Sequence, residues 1–355
     1  MGGYDFSGRS QSEAWAWCWL ASITFVVGLY LVPARLRRLP RSDPSQQIKA
    51  RLVAVCSTTS LSVLVTHSLA RPVQDGLPVR RWIGLGTDRL GIALLLPLLL
   101  VCCLFLGPLV TMACMARKLS RNELSANGQS RIRTQPLPWY TAAGTELAIK
   151  ANLMTGALSA IRNLVGERYQ TAKKWEWSFH GSLKTFKHPR QVGPIAEEVV
   201  FRGCFVPVLL GAGVSRTKIT WLSPLLFGFA HLHHALEWLR QGQPVPMVVA
   251  SVLFQIAYTT VFGAFAMYVH LRTGHLFSSI LVHMLCNFMG VPDVTFSISP
   301  GNHRESTRVS ALYEHRRGIW CCYGLGICLF CGLLRPLTAP SLYDSVLWSP
   351  GISDS

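Results

Sequence analysis

The chain has 355 residues, of which 50% are hydrophobic and only 14% charged, with a formal net charge of +17. An ordinary soluble domain is about 25% charged, so the composition argues against a string of soluble domains and for one integral membrane domain. The basic residues lie between apolar segments rather than in one patch, which speaks against nucleic-acid binding and for loops flanking membrane spans.

In chain order, residues 14–33 form a first apolar segment. Its start is nearly neutral and its core long, so it reads as a retained helix rather than a cleaved signal peptide. Weaker and stronger spans follow at 51–69 and 90–116. Residues 117–190 then break the pattern with thirteen Lys/Arg and no span-length apolar run. Part of this stretch, around Glu146–Val165, suits an amphipathic surface helix, and a flexible insertion is the alternative. Five more spans are predicted at 194–212, 217–236, 246–271, 275–291 and 317–338, and the Ser/Pro/Asp-rich residues 339–355 read as disordered.

The expected fold is all-α, a polytopic membrane protein built as a bundle of about eight transmembrane helices. Its expected parts are an N-terminal three-helix membrane part (1–116), a basic polar insertion or interfacial segment (117–193), a five-helix catalytic membrane part (194–338) and a polar tail (339–355). The basic loops between spans 1–2 and 3–4 predict a cytosolic side. The eleven cysteines lie almost wholly in apolar stretches. They act there as small hydrophobes, with no disulfide framework and no zinc-type CxxC pairing.

The fourth span, PIAEEVVFRGCFVPVLLG, carries Glu197, Glu198 and Arg202 inside an otherwise apolar run. A charge at mid-membrane depth costs about 2.5–3.5 kcal/mol on insertion scales, so such residues mark a functional site. Two other spans supply partners: His231 in FGFAH, and His283 with Asn287 in HMLCN. At about 1.5 Å per residue all of them fall within roughly 5–12 Å of the same membrane face. Glu198 and Arg202 are spaced to pair on one helix face, while Glu197 is rotated by about 100° and left free for chemistry. His283 and Asn287 share a face, and His231 roughly shares one with His234. His233, His234, His270 and His275 are read as structural. Cys204 lies among apolar neighbours, where a thiol stays protonated and inert.

One acid, two imidazoles and an amide offer no side-chain nucleophile, so water must attack. A carboxylate withdrawn into a helix bundle can serve as its base, and imidazole and amide groups can donate to a developing oxyanion. Peptide-bond hydrolysis fits that set. No cofactor and no metal is expected. Glu, His and His could hold zinc as the alternative, but HExxH is absent from the sequence.

Glu197-Glu198-x-x-x-Arg202, Phe227-x-x-x-His231 and His283-x-x-x-Asn287 resemble, in order, the three motifs of the type II CaaX prenyl proteases. These belong to the wider ABI, or CPBP, group of glutamate intramembrane proteases, and FGFAHLHHALEW looks closest to their eukaryotic, Ras-converting branch. The resemblance covers residues 194–291 strongly. It implies an eight-helix endopeptidase of the endoplasmic-reticulum membrane, with its active site opening toward the cytosol. The implied substrates are prenylated C-terminal CaaX proteins such as small GTPases, and membrane lipids are its other partners. Glu197 and His231 would activate water, His283 and Asn287 would stabilise the oxyanion, and Glu198 and Arg202 would support them. The long basic segment before the first motif departs from the family pattern. Two alternatives stand beside this reading: a protease of the same fold acting on non-prenylated membrane peptides, and a polytopic transporter with a buried Glu/His relay.

Overall fold

The computed structural model describes residues 3–30, 44–74, 76–113, 192–290 and 315–348. The basic segment 117–193 lies outside them except for its last two residues, which open a helix. The described residues are almost wholly helical. In order they form α1 (Gln11–Tyr30), α2 (Pro44–Leu69), a short α3 (Val79–Trp82), α4 (Leu90–Leu104) and α5 (Leu106–Ala113). The motif-bearing part follows as α6 (Val192–Glu198), a π-helical segment Val199–Cys204, α7 (Phe205–Gly211), α8 (Arg216–Ala230), α9 (His233–Arg240), α10 (Val245–Thr273), α11 (Leu276–Met289) and α12 (Arg316–Leu337). One small antiparallel pair, β1 (Gly3–Asp5) with β2 (Arg71–Val73), ties the N-terminus to the end of α2.

Each of the eight apolar stretches read from the sequence is helical over most of its described residues. By length and composition, α2, α10 and α12 can each cross a membrane, and α4 with α5 makes a fourth span if the pair, bent by 76°, is counted as one. Two of the remaining stretches are interrupted, and those interruptions fall at the polar motifs. What was read as one span over 217–236 is two helices, broken between Ala230 and His233. The stretch 194–212 changes hydrogen-bond register at Val199 and again after Cys204.

The chain divides into two compact units. The first comprises residues 1–98, 188–284 and 335–355. Its core is a run of aromatic rings from α1, the π segment, α7 and α8: Phe25 against Phe201 (5.8 Å), Phe201 against Phe205 (5.3 Å) and Phe227 (5.1 Å). Helices approach closely where side chains are missing, as is usual between membrane helices. A Cβ on Gly228 would lie 2.3 Å from the Thr260 hydroxyl, and one on Gly211 would lie 2.5 Å from the Phe6 backbone. The second unit comprises residues 99–187 and 285–334. Gly107 there admits the Tyr323 ring, and Gly326 admits the Cys103 carbonyl.

Over residues 339–348 the expected disorder is not what the structure has, and residues 349–355 lie outside the described residues. Pro340–Leu342 and Val346–Trp348 form 3₁₀ turns that pack back on the first unit. Arg216 Nε donates to the Leu347 carbonyl at 2.9 Å, and the Arg216 and Arg272 guanidinium groups lie 5.4 and 5.1 Å from the Trp348 ring centre. The buried Tyr343 hydroxyl donates to the Leu337 carbonyl. Its phenol is pushed up to about 12 by burial and so remains a neutral donor. The polar composition of this segment hid three residues, Tyr343, Leu347 and Trp348, with enough apolar surface to repay its ordering.

Leu347 is wholly buried in the same core as Phe201 and Phe227. Leu347→Ala should therefore lower stability by about 2–5 kcal/mol, read as a drop in the thermal unfolding midpoint of the detergent-purified protein. An unchanged midpoint would mean that the segment is not part of the fold.

Candidate active site

The site begins where α6 passes into the π segment. A π turn closes i→i+5 bonds and inserts a residue relative to an α-helix, and such turns are frequent at functional sites. The acids before it and the core residues after it therefore do not keep the rotation that uniform α-helical spacing predicts. Glu198 is fully buried and Arg202 is 1% exposed, and they meet at 3.0 Å (Glu198 Oε1 to Arg202 Nη1). Two opposite charges in an apolar bundle are tolerable only together, since each alone carries a desolvation penalty of several kcal/mol.

The guanidinium is held on its other sides by groups that spacing alone did not reveal. Nη2 donates to the Gly263 carbonyl of α10 at 3.3 Å. The Phe227 ring lies 4.6 Å from its central carbon and the Phe262 ring 6.0 Å, distances at which an aromatic face attracts a cation. Gly263 must be small: a Cβ there would come within 2.9 Å of Pro224 and 3.4 Å of Arg202. Phe227 was visible only as the first residue of its motif. Phe262 and Gly263 gave no signal among their apolar neighbours.

His283 reaches the two acids from α11. Its Nδ1 lies 2.8 Å from Glu198 Oε1, and its Nε2 lies 3.7 Å from Glu197 Oε2. A carboxylate only accepts, so Nδ1 carries the proton that binds Glu198. Glu198 is thus shared between Arg202 and His283, and Glu197, 25% exposed, faces the opposite edge of the imidazole. Phe262 packs on the same ring at 4.6 Å. The Ser279 hydroxyl, one turn before His283, donates to Leu276 and lies within reach of Glu198.

His231 sits in the break between α8 and α9, and the break explains its orientation. The N–H groups of residues 231, 232, 234 and 235 bond three residues back rather than four, to Gly228, Phe229, His231 and Leu232. The Phe227 and Ala230 carbonyls are passed over in that tightening. Imidazoles take their place: His231 Nδ1 donates to Phe227 O at 2.8 Å, and His233 Nδ1 to Ala230 O at 2.7 Å. The neutral His231 ring is thereby fixed as the tautomer with a bare Nε2. Phe227 joins it to the rest of the site, 4.9 Å from the His231 ring and 6.1 Å from the His283 ring.

The structure thus gathers Glu197, Glu198, Arg202 and His283, and connects His231 to them through Phe227. Asn287 follows His283 by one turn of α11 and is exposed; it falls in the second unit. His234 was read as structural. It stacks on Trp238, lies 3.5 Å from Glu237, and interacts electrostatically with Glu197. Among the described residues, no group of three or more His, Cys, Asp or Glu side chains is arranged to hold a metal ion.

Comparison with known proteins finds relatives over most of the chain. Residues 191–289, which span all three motifs, match the family of type II CAAX prenyl endopeptidases, Rce1-like. The chain is 31% identical over 343 residues to CAAX prenyl protease 2 of Homo sapiens, covering 93% of this chain and 84% of the human one. It is 27% identical to CAAX prenyl protease 2 of Arabidopsis thaliana, covering 96% of this chain and 94% of that one. A shorter, closer match, 45% over 120 residues, is to the probable CAAX prenyl protease 2 of Schizosaccharomyces pombe, covering 33% of this chain and 43% of the yeast one. No solved structure matches. With the human relative matched over most of both lengths, the chain belongs to the type II CAAX prenyl endopeptidase family, Rce1-like.

Proposed function

We propose that the chain is an intramembrane endopeptidase of the endoplasmic reticulum that removes the last three residues from prenylated CaaX proteins. The observation that carries the mechanism is the placement of His283 between two acids that do different work. Glu198 is committed to Arg202 and to His283 Nδ1, so it orients. Glu197 has no such commitment and keeps access to solvent, so it is the base. Water bound by Glu197 loses its proton to that carboxylate as it attacks the scissile carbonyl. His231, its Nδ1–H held by the Phe227 carbonyl, offers a bare Nε2 as the second acceptor for that water.

The attack moves negative charge onto the carbonyl oxygen. To donate to that oxygen, His283 must carry a proton on Nε2 as well as the Nδ1 proton that it donates to Glu198. Asn287, on the same helix, would supply the amide donor. The proton held by Glu197 then passes to the departing amine, which leaves as the free tripeptide. No step needs a metal, and zinc on Glu197 and the histidines remains the competing arrangement. The names of the relatives supply the substrate class, and the basic loops support an opening toward the cytosol.

The decisive assay is cleavage of a farnesylated CaaX peptide by the purified protein, with and without a chelator. Cleavage that survives the chelator is expected, and abolition by chelation would turn the mechanism to zinc. Glu197→Gln should fold normally and lose activity by at least about 10²-fold, whereas near-normal turnover would remove Glu197 as the base. Glu198→Gln leaves Arg202 without its counter-charge, and should lower stability by about 3–5 kcal/mol, seen as a lower melting temperature and poor yield. A glycosylation acceptor placed in the 117–190 segment should stay unmodified in microsomes, and its modification would reverse the orientation.

A further inference from the structure

The Nδ1–H of His283 donates to Glu198 Oε1 at 2.8 Å, but one hydrogen bond fixes a point of an imidazole and not its plane. The torsion that turns the ring about its Cβ–Cγ bond is broad and does not fix the plane either. At the opposite edge, Nε2 lies 3.7 Å from Glu197 Oε2, too far for a direct hydrogen bond to hold it. Packing is left to set the plane.

His283 is 3% exposed, and two phenyl rings border it. Phe227 stands nearly perpendicular to it, with ring centres 6.1 Å apart. Phe262 of α10 is nearer, with centres 4.6 Å apart and planes inclined at 51°. That is the close end of the range of about 4.5–7 Å over which aromatic rings interact. Phe227 and Phe262 also touch each other, at 6.4 Å, so the imidazole lies against a braced pair of rings.

The two rings differ in what else they hold. Phe227 accepts from His231 through its carbonyl, and its ring meets both His231 and the Arg202 guanidinium. Phe262 also borders Arg202, but at 6.0 Å, and that guanidinium has Glu198, the Gly263 carbonyl and Phe227 besides. Loss of the Phe262 ring therefore falls first on His283. The position of the ring is itself constrained. At the next residue, Gly263, a Cβ would come within 2.9 Å of Pro224, so α10 is pressed against α8 at this level.

We propose that Phe262 is a positioning residue for His283: its ring fixes the plane of the imidazole, and with it the direction in which Nε2 presents a proton to the oxyanion. This role rests on the catalytic reading of His283 given above. A ring that only filled space would be replaceable by an aliphatic side chain at some cost in stability and none in rate.

The test is steady-state cleavage of the farnesylated CaaX peptide by the purified variants Phe262→Leu, Phe262→Tyr and His283→Ala, assayed well below their melting temperatures. Phe262→Leu should lose about 10- to 100-fold in kcat, the scale of a small misplacement at a site, with KM little changed. Phe262→Tyr, which keeps a ring at the same position, should retain most of the wild-type kcat. Wild-type kcat in the leucine variant, equal loss in both variants, or a change confined to KM overturns the role. If the leucine variant does not fold, Phe262→Met is read by the same criteria. His283→Ala keeps the two questions apart. Near-normal turnover there would sink the catalytic reading of His283 and this role with it, whereas a strong loss there beside wild-type turnover in Phe262→Leu would sink this role alone.

Discussion

The Glu198–Arg202 ion pair is the constraint on which the rest of the structure depends. Two charges withdrawn from water must satisfy each other and every remaining lone pair and proton. The surrounding elements can be read as answers to that demand. Gly263 opens α10 so that its carbonyl reaches the guanidinium, Phe227 and Phe262 turn aromatic faces toward it, and His283 uses the carboxylate oxygen from the far side. The π segment starts directly after Glu198 and contains Arg202, so the pair and the change of helical register are one local feature.

The two histidines of the site are prepared in the same way by different means. Each is anchored at Nδ1, which leaves Nε2 as the open edge of the ring. For His283 the anchor is a carboxylate on another helix, and for His231 it is a carbonyl of its own helix, freed by the break before α9. On the proposed mechanism the break is therefore part of the chemistry. A continuous helix through residues 230–233 would return the Phe227 carbonyl to the backbone ladder and release the imidazole to rotate.

The sequence displayed what depends on residue type and regular spacing. Apolar runs located the helices, and charged residues within them marked the candidate site, because lipid makes a buried charge costly enough to stand out. The i,i+4 spacing of Glu198 and Arg202 was enough to expect their pairing. What stayed hidden depends on departures from regularity. The π turn and the 3₁₀ tightening at His231 change hydrogen-bond partners without changing the apolar pattern. Phe262 and Gly263 look like any membrane residues until Arg202 is placed against them. His234 reads as part of a polar run, and its relation to Glu197 exists only in three dimensions. Residues 339–348 were misread because composition averages over the segment, while three residues carry its packing.

That last segment has a consequence for how the molecule is made. Arg216 begins α8 and Arg272 closes α10, and both rest on Trp348. These helices flank the ion pair and its aromatic neighbours, yet the ring that joins their ends lies far along the chain from both. The helices can insert and find one another before Trp348 is synthesised, but the clasp closes only after it. A chain cut before residue 340 would hold every motif of the site and still lack the piece that fastens its scaffold.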